Sequence, residues 1–283
     1  MARHSNIQRR AILFLALSFM PGAISSCSHE NRQSQGTVLS AESILDKIKR
    51  EHMLRIGYSG YPPFLNVDIH TNKPSDGFSV EVIQTILSQW DKSISIEWVP
   101  TNWTDVRTDL LNHKFDLIVE PVFRTIPRAA IVDFSRPYSE FSYAVGVVRA
   151  TENRYHTIKD LDNPKVHIAL TQGTSWHEYA TRNLPNATNL KIISGGKIEM
   201  SLDEVLLGRV DIALSDLLTA KRYVAAHPGK LKIIFTNPPP GRVPASFMFR
   251  QDDLKFLQFL NTSLEFLQAS GEIDRLKRKY DIE

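Results

Sequence analysis

The residues best suited to chemistry crowd into one stretch, DLIVEPVFRTIPRAAIVDFSRPY, from Asp116 to Tyr138. It begins with Leu117-Ile118-Val119, an apolar run of the kind that makes a buried strand, and then delivers Glu120, Pro121, Arg124 and Arg128. Residues just past the carboxyl end of a core strand in an open α/β sheet face the ligand crevice. A guanidinium placed there can grip a carboxylate through parallel charge-assisted hydrogen bonds. The plainer alternative for Arg128 is a surface salt bridge, and spacing alone does not choose between the two. Glu120 is out of place in an apolar interior and is therefore a site candidate. It could favour a cationic ligand, or pair with Arg124 and never touch one.

Other chemistries lack their spacing. None of the nine histidines stands in a metal-binding pattern. His177-Glu178 opens like a zinc-protease helix, but position 181 is Thr. His167 lies inside a strand pattern and is expected to be structural. There is no G-x-S-x-G, and YSGYPP lacks the Gly and Lys spacing of a phosphate loop. A single cysteine excludes an intramolecular disulfide. No metal or cofactor is expected, and the charge of DRLKRKYDIE is that of a solvated helix face.

The elements that must position these residues belong to a globular chain of 283 residues, 42% hydrophobic and 23% charged. That length suits one large or two modest domains. The formal charge of +3 comes from Arg3, Arg9 and Arg10; the rest of the chain carries 31 basic and 31 acidic residues. Nucleic-acid binding therefore has no electrostatic support. Arg9-Arg10, the apolar run AILFLALSFM and small residues up to Cys27 have the form of a secretory signal, too short to span a bilayer. ISSC, Ile24 to Cys27, resembles a bacterial lipobox, which would make Cys27 a lipidation site and a lipid anchor the chain's membrane contact. The polar stretch that follows is expected to be a flexible tether over 28–40.

From Ser40 onward strand and helix patterns alternate. Strands are expected at Leu54–Tyr58, Ser93–Trp98 and Asp116–Val119, with helices over Phe78–Trp90 and Trp103–Leu111, the latter capped by Asn102. A similar series follows: strand Val166–Leu170, helix Ser175–Asn183, strand Lys191–Ile193, helix Glu199–Leu207, strand Asp211–Leu214 and helix Asp216–His227. Strand Ser246–Phe249 and a long leucine-striped helix close the chain. This order predicts an α/β fold with two lobes facing across the carboxyl ends of their strands. Val145–Val148 and Phe247–Arg250 are the candidate crossing strands. The lobes would be 41–147 with 249–283, and 148–248.

LRIGYSGYPPF, DGFSVEVI, WTDV, FDLIVEPVFRTIPR, VDFSRPY, IALTQGTS and GRVDIALSD occur in this order between Leu54 and Tyr280. Together they resemble the family-3 periplasmic solute-binding proteins, the amino-acid-binding components of ABC importers. The resemblance implies the type II periplasmic-binding fold. Cyclohexadienyl dehydratases are similar in the same segments. The likeness implies that Arg128 of the Thr125-x-x-Arg128 element clamps a ligand carboxylate. It implies that Gly173-Thr174-Ser175 at a helix start contributes further donors, and that Asp216 binds the ammonium. Tyr61 and Trp103 fall where the family covers the two faces of its ligand, whereas Phe64 is expected in the core. The chain departs from the family at Glu120-Pro121-Val122-Phe123, where small residues are usual.

The resemblance implies an extracytoplasmic binding lipoprotein, periplasmic or at the cell surface. It is expected to be monomeric and to hand an amino acid or related zwitterion to an ABC permease. The alternatives are a dehydratase-like carbon–oxygen lyase, in which Glu120 would protonate a leaving hydroxyl, and an anchored sensor.

Overall fold

The computed structural model describes residues 42–282. The expected signal, Cys27 and the tether over 28–40 lie outside the described residues. In chain order the elements are α1 (Ile44–Glu51), β1 (Met53–Tyr58), β2 (Asn66–Val67), β3 (Pro74–Asp76), α2 (Phe78–Trp90), β4 (Ser95–Pro100), α3 (Val106–Leu111), β5 (Leu117–Phe123), α4 (Ile126–Ala129), β6 (Asp133–Phe134) and β7 (Ser139–Tyr143). Then come β8 (Val145–Arg149), β9 (Ile168–Thr171), α5 (Ser175–Asn183), β10 (Leu190–Ile193), α6 (Met200–Leu206), β11 (Ile212–Ser215), α7 (Leu217–Ala226) and β12 (Leu231–Ile234). The chain closes with β13 (Gly241–Phe249), α8 (Leu254–Ala269) and α9 (Glu272–Lys279).

These strands form two larger sheets. The first runs β4-β1-β5-β13-β6, with β7 paired to β13; the second runs β10-β9-β11-β8-β12. β1 is parallel to both β4 and β5. β5 is buried at every position, as a central strand covered on both faces must be. The closing helices belong with the first sheet: α8 packs on α1 and α9 on α2. The Gly77 N–H donates to the Tyr280 hydroxyl at 3.2 Å.

Three expectations shift. β5 does not end at Val119 but continues through Glu120 and Pro121 to Phe123. Proline lacks a ladder donor and survives in sheets at bulges and edges. Here the pairing of β13 with β5 changes register between Ser246 and Met248, partners of Val122 and Ile118, so Pro121 falls at the irregularity. The chain also passes from one sheet to the other, in both directions, earlier than expected. β8 lies wholly in the second sheet, against β11 and β12. The two crossings are flanked on the first sheet's side by β7 and the first half of β13, which pair with each other from Gly241↔Tyr143 to Ala245↔Ser139.

The expected helix from Trp103 begins only at Val106. Before it, the Asn102 side-chain oxygen accepts from the Thr104 and Asp105 N–H groups at 2.9 and 3.1 Å. Trp103 is thereby set in a turn. Among the described residues no cluster of His, Cys, Asp or Glu could hold a metal ion. No described helix is long and apolar enough to cross a membrane.

Candidate ligand-binding cleft

β5 feeds directly into α4, and this short connection carries Arg128 inward, 5% exposed. Its guanidinium is committed on three sides. Nε donates to Glu178 Oε1 at 2.9 Å, Nη1 to the Phe123 carbonyl at 3.0 Å and Nη2 to the Gly173 carbonyl at 2.8 Å. Burial works against the arginine's charge and the Glu178 carboxylate supports it. The Thr125 hydroxyl donates to the other oxygen of Glu178 at 3.1 Å. Glu178 therefore spans both residues of the Thr125-x-x-Arg128 element.

The second sheet meets this group through the turn after β9. Gly173 sits at φ +80°, and a Cβ there would lie 2.0 Å from the Trp103 carbonyl oxygen. Only glycine lets the two sides approach so closely. Thr174 then caps α5: its hydroxyl donates to the Thr171 carbonyl at 2.6 Å and accepts from the His177 N–H at 3.3 Å. Ser175 and Trp176 occupy the first turn of α5, whose N-terminus favours negative charge.

Asp216 caps α7 at the end of β11 and is completely buried. Its Oδ1 accepts from the Thr219 N–H at 2.8 Å, and its Oδ2 has no partner. Burial raises the Asp216 pKa, opposed by the Thr219 N–H; the nearby Thr219 and Tyr61 hydroxyls ease the charge without meeting hydrogen-bond geometry. Tyr61 is pushed well above the usual phenol range by its own burial and by Asp216.

Between these groups lies a narrow cavity of about 10 Å³. Tyr61, Trp103, Pro121, Phe123 and Arg128 line it from the side of the first sheet, and Thr174, Ser175, Trp176 and Ile198 from the side of the second. Tyr61 and Trp103 stand edge to face with centroids 5.8 Å apart, and Phe123 faces Trp176 likewise at 6.5 Å. The indole N–H groups of Trp103 and Trp176 and the Ser175 hydroxyl are buried without partners. Such groups cost free energy unless something accepts from them. The wall thus combines aromatic faces and spare donors, with the spare carboxylate oxygen of Asp216 behind it next to Tyr61, a set suited to a small polar guest.

Of the residues singled out from sequence, Tyr61, Trp103, Arg128, Thr174 and Ser175 are brought together on the cavity wall. Gly173 joins them through its carbonyl, and Thr125 through Glu178. Asp216 lies beside Tyr61, behind that wall. Glu120 is elsewhere: 1% exposed, it accepts from the Ser59 N–H at 3.0 Å and the Ser59 hydroxyl at 2.8 Å. With no cation beside it, burial raises its pKa to about 7 against these hydrogen bonds. It does not pair with Arg124, which lies 6.0 Å from the Phe134 ring centroid. Phe64 is core, packed against Tyr61, Phe78 and Phe141.

Residues 54–282 match the bacterial extracellular solute-binding proteins, family 3. The chain belongs to this family. It is similar to a probable histidine-binding protein of Campylobacter jejuni, 25% identical over 232 residues, which cover 81% of this chain and 85% of the relative. It is also similar to the cyclohexadienyl dehydratase of Pseudomonas aeruginosa, 22% identical over 240 residues, 84% of this chain and 86% of the relative. Among solved structures it resembles the ArgBP of T. maritima, with 27% identity, a TM-score of 0.72 and coverage of 85% of this chain and 100% of that one. An ancestral amino acid-binding protein, a precursor of cyclohexadienyl dehydratase, gives 26% identity and a TM-score of 0.72, covering 84% of this chain and 99% of that one. The fold is that of the type II periplasmic amino-acid-binding proteins.

Sequence reasoning missed Glu178, Trp176 and Ile198 in this family-3 protein. A signal for Glu178 was available: it lies three residues after Ser175, on the same face of the helix. Phe123 and Pro121, noted as departures from the family, form part of the wall.

Proposed function

We propose that this chain captures an amino acid or related zwitterion outside the cytoplasm and delivers it to an ABC importer, anchored by lipid on Cys27 and tethered by 28–40. In this reading 42–143 with 241–282, which carry the first sheet, and 145–234, which carry the second, act as two lobes. Their closure over the ligand reports occupancy to the permease. Arg128, with Gly173, Thr174 and Ser175, serves the acidic end of the ligand; Asp216 serves the ammonium; Tyr61 and Trp103 cover its faces. Thr125 orients Arg128 by way of Glu178, and Glu120 supports the Ser59 loop from inside the first lobe.

The observation that supports this reading is a buried arginine lining the cavity from the first sheet's side, together with a buried, half-satisfied aspartate at the end of a second-sheet strand, next to the cavity-lining Tyr61. A zwitterion needs such poles. Mass spectrometry of the small molecule that co-purifies with residues 28–283 tests the class directly, and an amino acid or similar zwitterion is expected. Arg128→Ala should weaken its binding by about 2–5 kcal/mol in calorimetry. Steady release of phenylpyruvate from prephenate would instead support the lyase reading.

A further inference from the structure

The buried charges of the cleft do not balance. Arg128 is neutralised within the protein, since Glu178 holds its Nε at 2.9 Å and the carbonyls of Phe123 and Gly173 hold its two other nitrogens. The ion pair is well shielded, with Arg128 6% and Glu178 22% exposed at the side chain. On the opposite side, Asp216 is completely buried and its Oδ2 accepts from nothing. Among the described residues no Lys, Arg or His lies within ion-pair distance of it. The half-buried Glu199 adds a second carboxylate near Asp216. Arg107 beside Arg128, and Arg222 and Lys197 on the Asp216 side, are exposed and screened by solvent. With the Asp216 carboxyl ionised, against the burial that raises its pKa, the enclosed groups sum to a negative charge before any guest enters. A buried carboxylate is tolerated when it meets a cation.

We propose that Glu178 sets the charge class of the ligand: because it already neutralises Arg128, the guest that completes Asp216 carries a net positive charge. This rests on the amino-acid reading above and narrows it to cationic amino acids and related amines. A guest carboxylate shares the guanidinium with Glu178, which leaves it two of the five N–H groups. A neutral zwitterion then brings one positive and one negative charge to a site already in negative excess. A guest with a second cationic group corrects the excess. Glu178 is thus a specificity determinant that acts through Arg128.

The test is calorimetric titration of the wild-type protein, Glu178→Gln and Glu178→Asp with L-arginine, L-lysine, L-glutamine and L-glutamate. The wild type should bind arginine or lysine at least about tenfold tighter than glutamine. Glu178→Gln should narrow that ratio by about tenfold or more, chiefly by strengthening glutamine and glutamate. Glu178→Asp keeps the charge and should keep the preference. A wild-type preference for glutamine or glutamate, or an unchanged ratio in Glu178→Gln, overturns the assignment and leaves the amino-acid reading standing. Failure of the wild type to bind any of the four overturns both.

Discussion

The two ends of the cleft differ in how far the protein satisfies its own polar groups. At the Arg128 end the guanidinium has an ion pair and two carbonyls, and the partner carboxylate has a second donor in Thr125. At the Asp216 end a completely buried carboxylate has one backbone N–H and an oxygen without a partner. Leaving such an acceptor unsatisfied costs about 1–3 kcal/mol. The first end ties the two sides of the cleft together and leaves the guest's carboxylate only a share of the guanidinium, whereas the second leaves an acceptor open for the guest's cation. Glu120 shows that burial alone does not mark a site, because it is equally buried but satisfied by Ser59.

The sharpest way to break this contrast is to remove charge at the unsatisfied end. Asp216→Asn keeps a side chain able to cap α7 and should cost about 2–5 kcal/mol of ligand affinity in calorimetry. The melting temperature of the free protein should not fall. Unchanged affinity would show that the two ends are alike.

The next effect concerns Glu120. Its pKa in the folded protein, about 7, lies above the ordinary value of 4.5. The stability it contributes is therefore fully present below about pH 4.5 and is lost as pH rises through about 7. Urea unfolding of wild type and Glu120→Gln across that window should differ in slope, by up to about 3 kcal/mol in total. Parallel curves would mean that Glu120 is not held as described.

Gly173→Ala places a Cβ against the Trp103 carbonyl at a backbone angle that disfavours side chains. About 1–3 kcal/mol of ligand affinity should be lost by preventing close approach of the two sides. An affinity within error of wild type would argue against closure at this point. The smallest effect is expected at Arg124, which is exposed with its guanidinium 6.0 Å from the Phe134 ring centroid. Arg124→Ala should change both stability and affinity by less than about 0.5 kcal/mol, against the large loss from Arg128→Ala.

Periodicity carried the helices well, since their signals are local. Phe78–Trp90 and Ser175–Asn183 have the expected bounds, and Asp216 and Thr174 cap helices at the ends of strands. What local pattern could not show depends on partners distant in sequence. β5 passes through Pro121 because β13 shifts register beside it. The strand Gly241–Phe249 is hidden by the turn-like NPPPGRVP, since only pairing with β7 makes its first half extended. The candidate site was legible in its residue types from the family likeness, including Arg128 and Asp216. The roles of Glu178 and Glu120 were not, because which carboxylate meets which donor is fixed by packing between the two sheets.

The central claim is that the Asp216 carboxylate receives the cationic end of the ligand while Glu178 keeps Arg128. A crystal structure of the protein with its tightest-binding amino acid tests this most directly. The account predicts a ligand nitrogen about 3 Å from Asp216 Oδ2, with the Arg128–Glu178 pair intact. A ligand whose cationic group lies elsewhere, with that oxygen still lacking a partner, would contradict it.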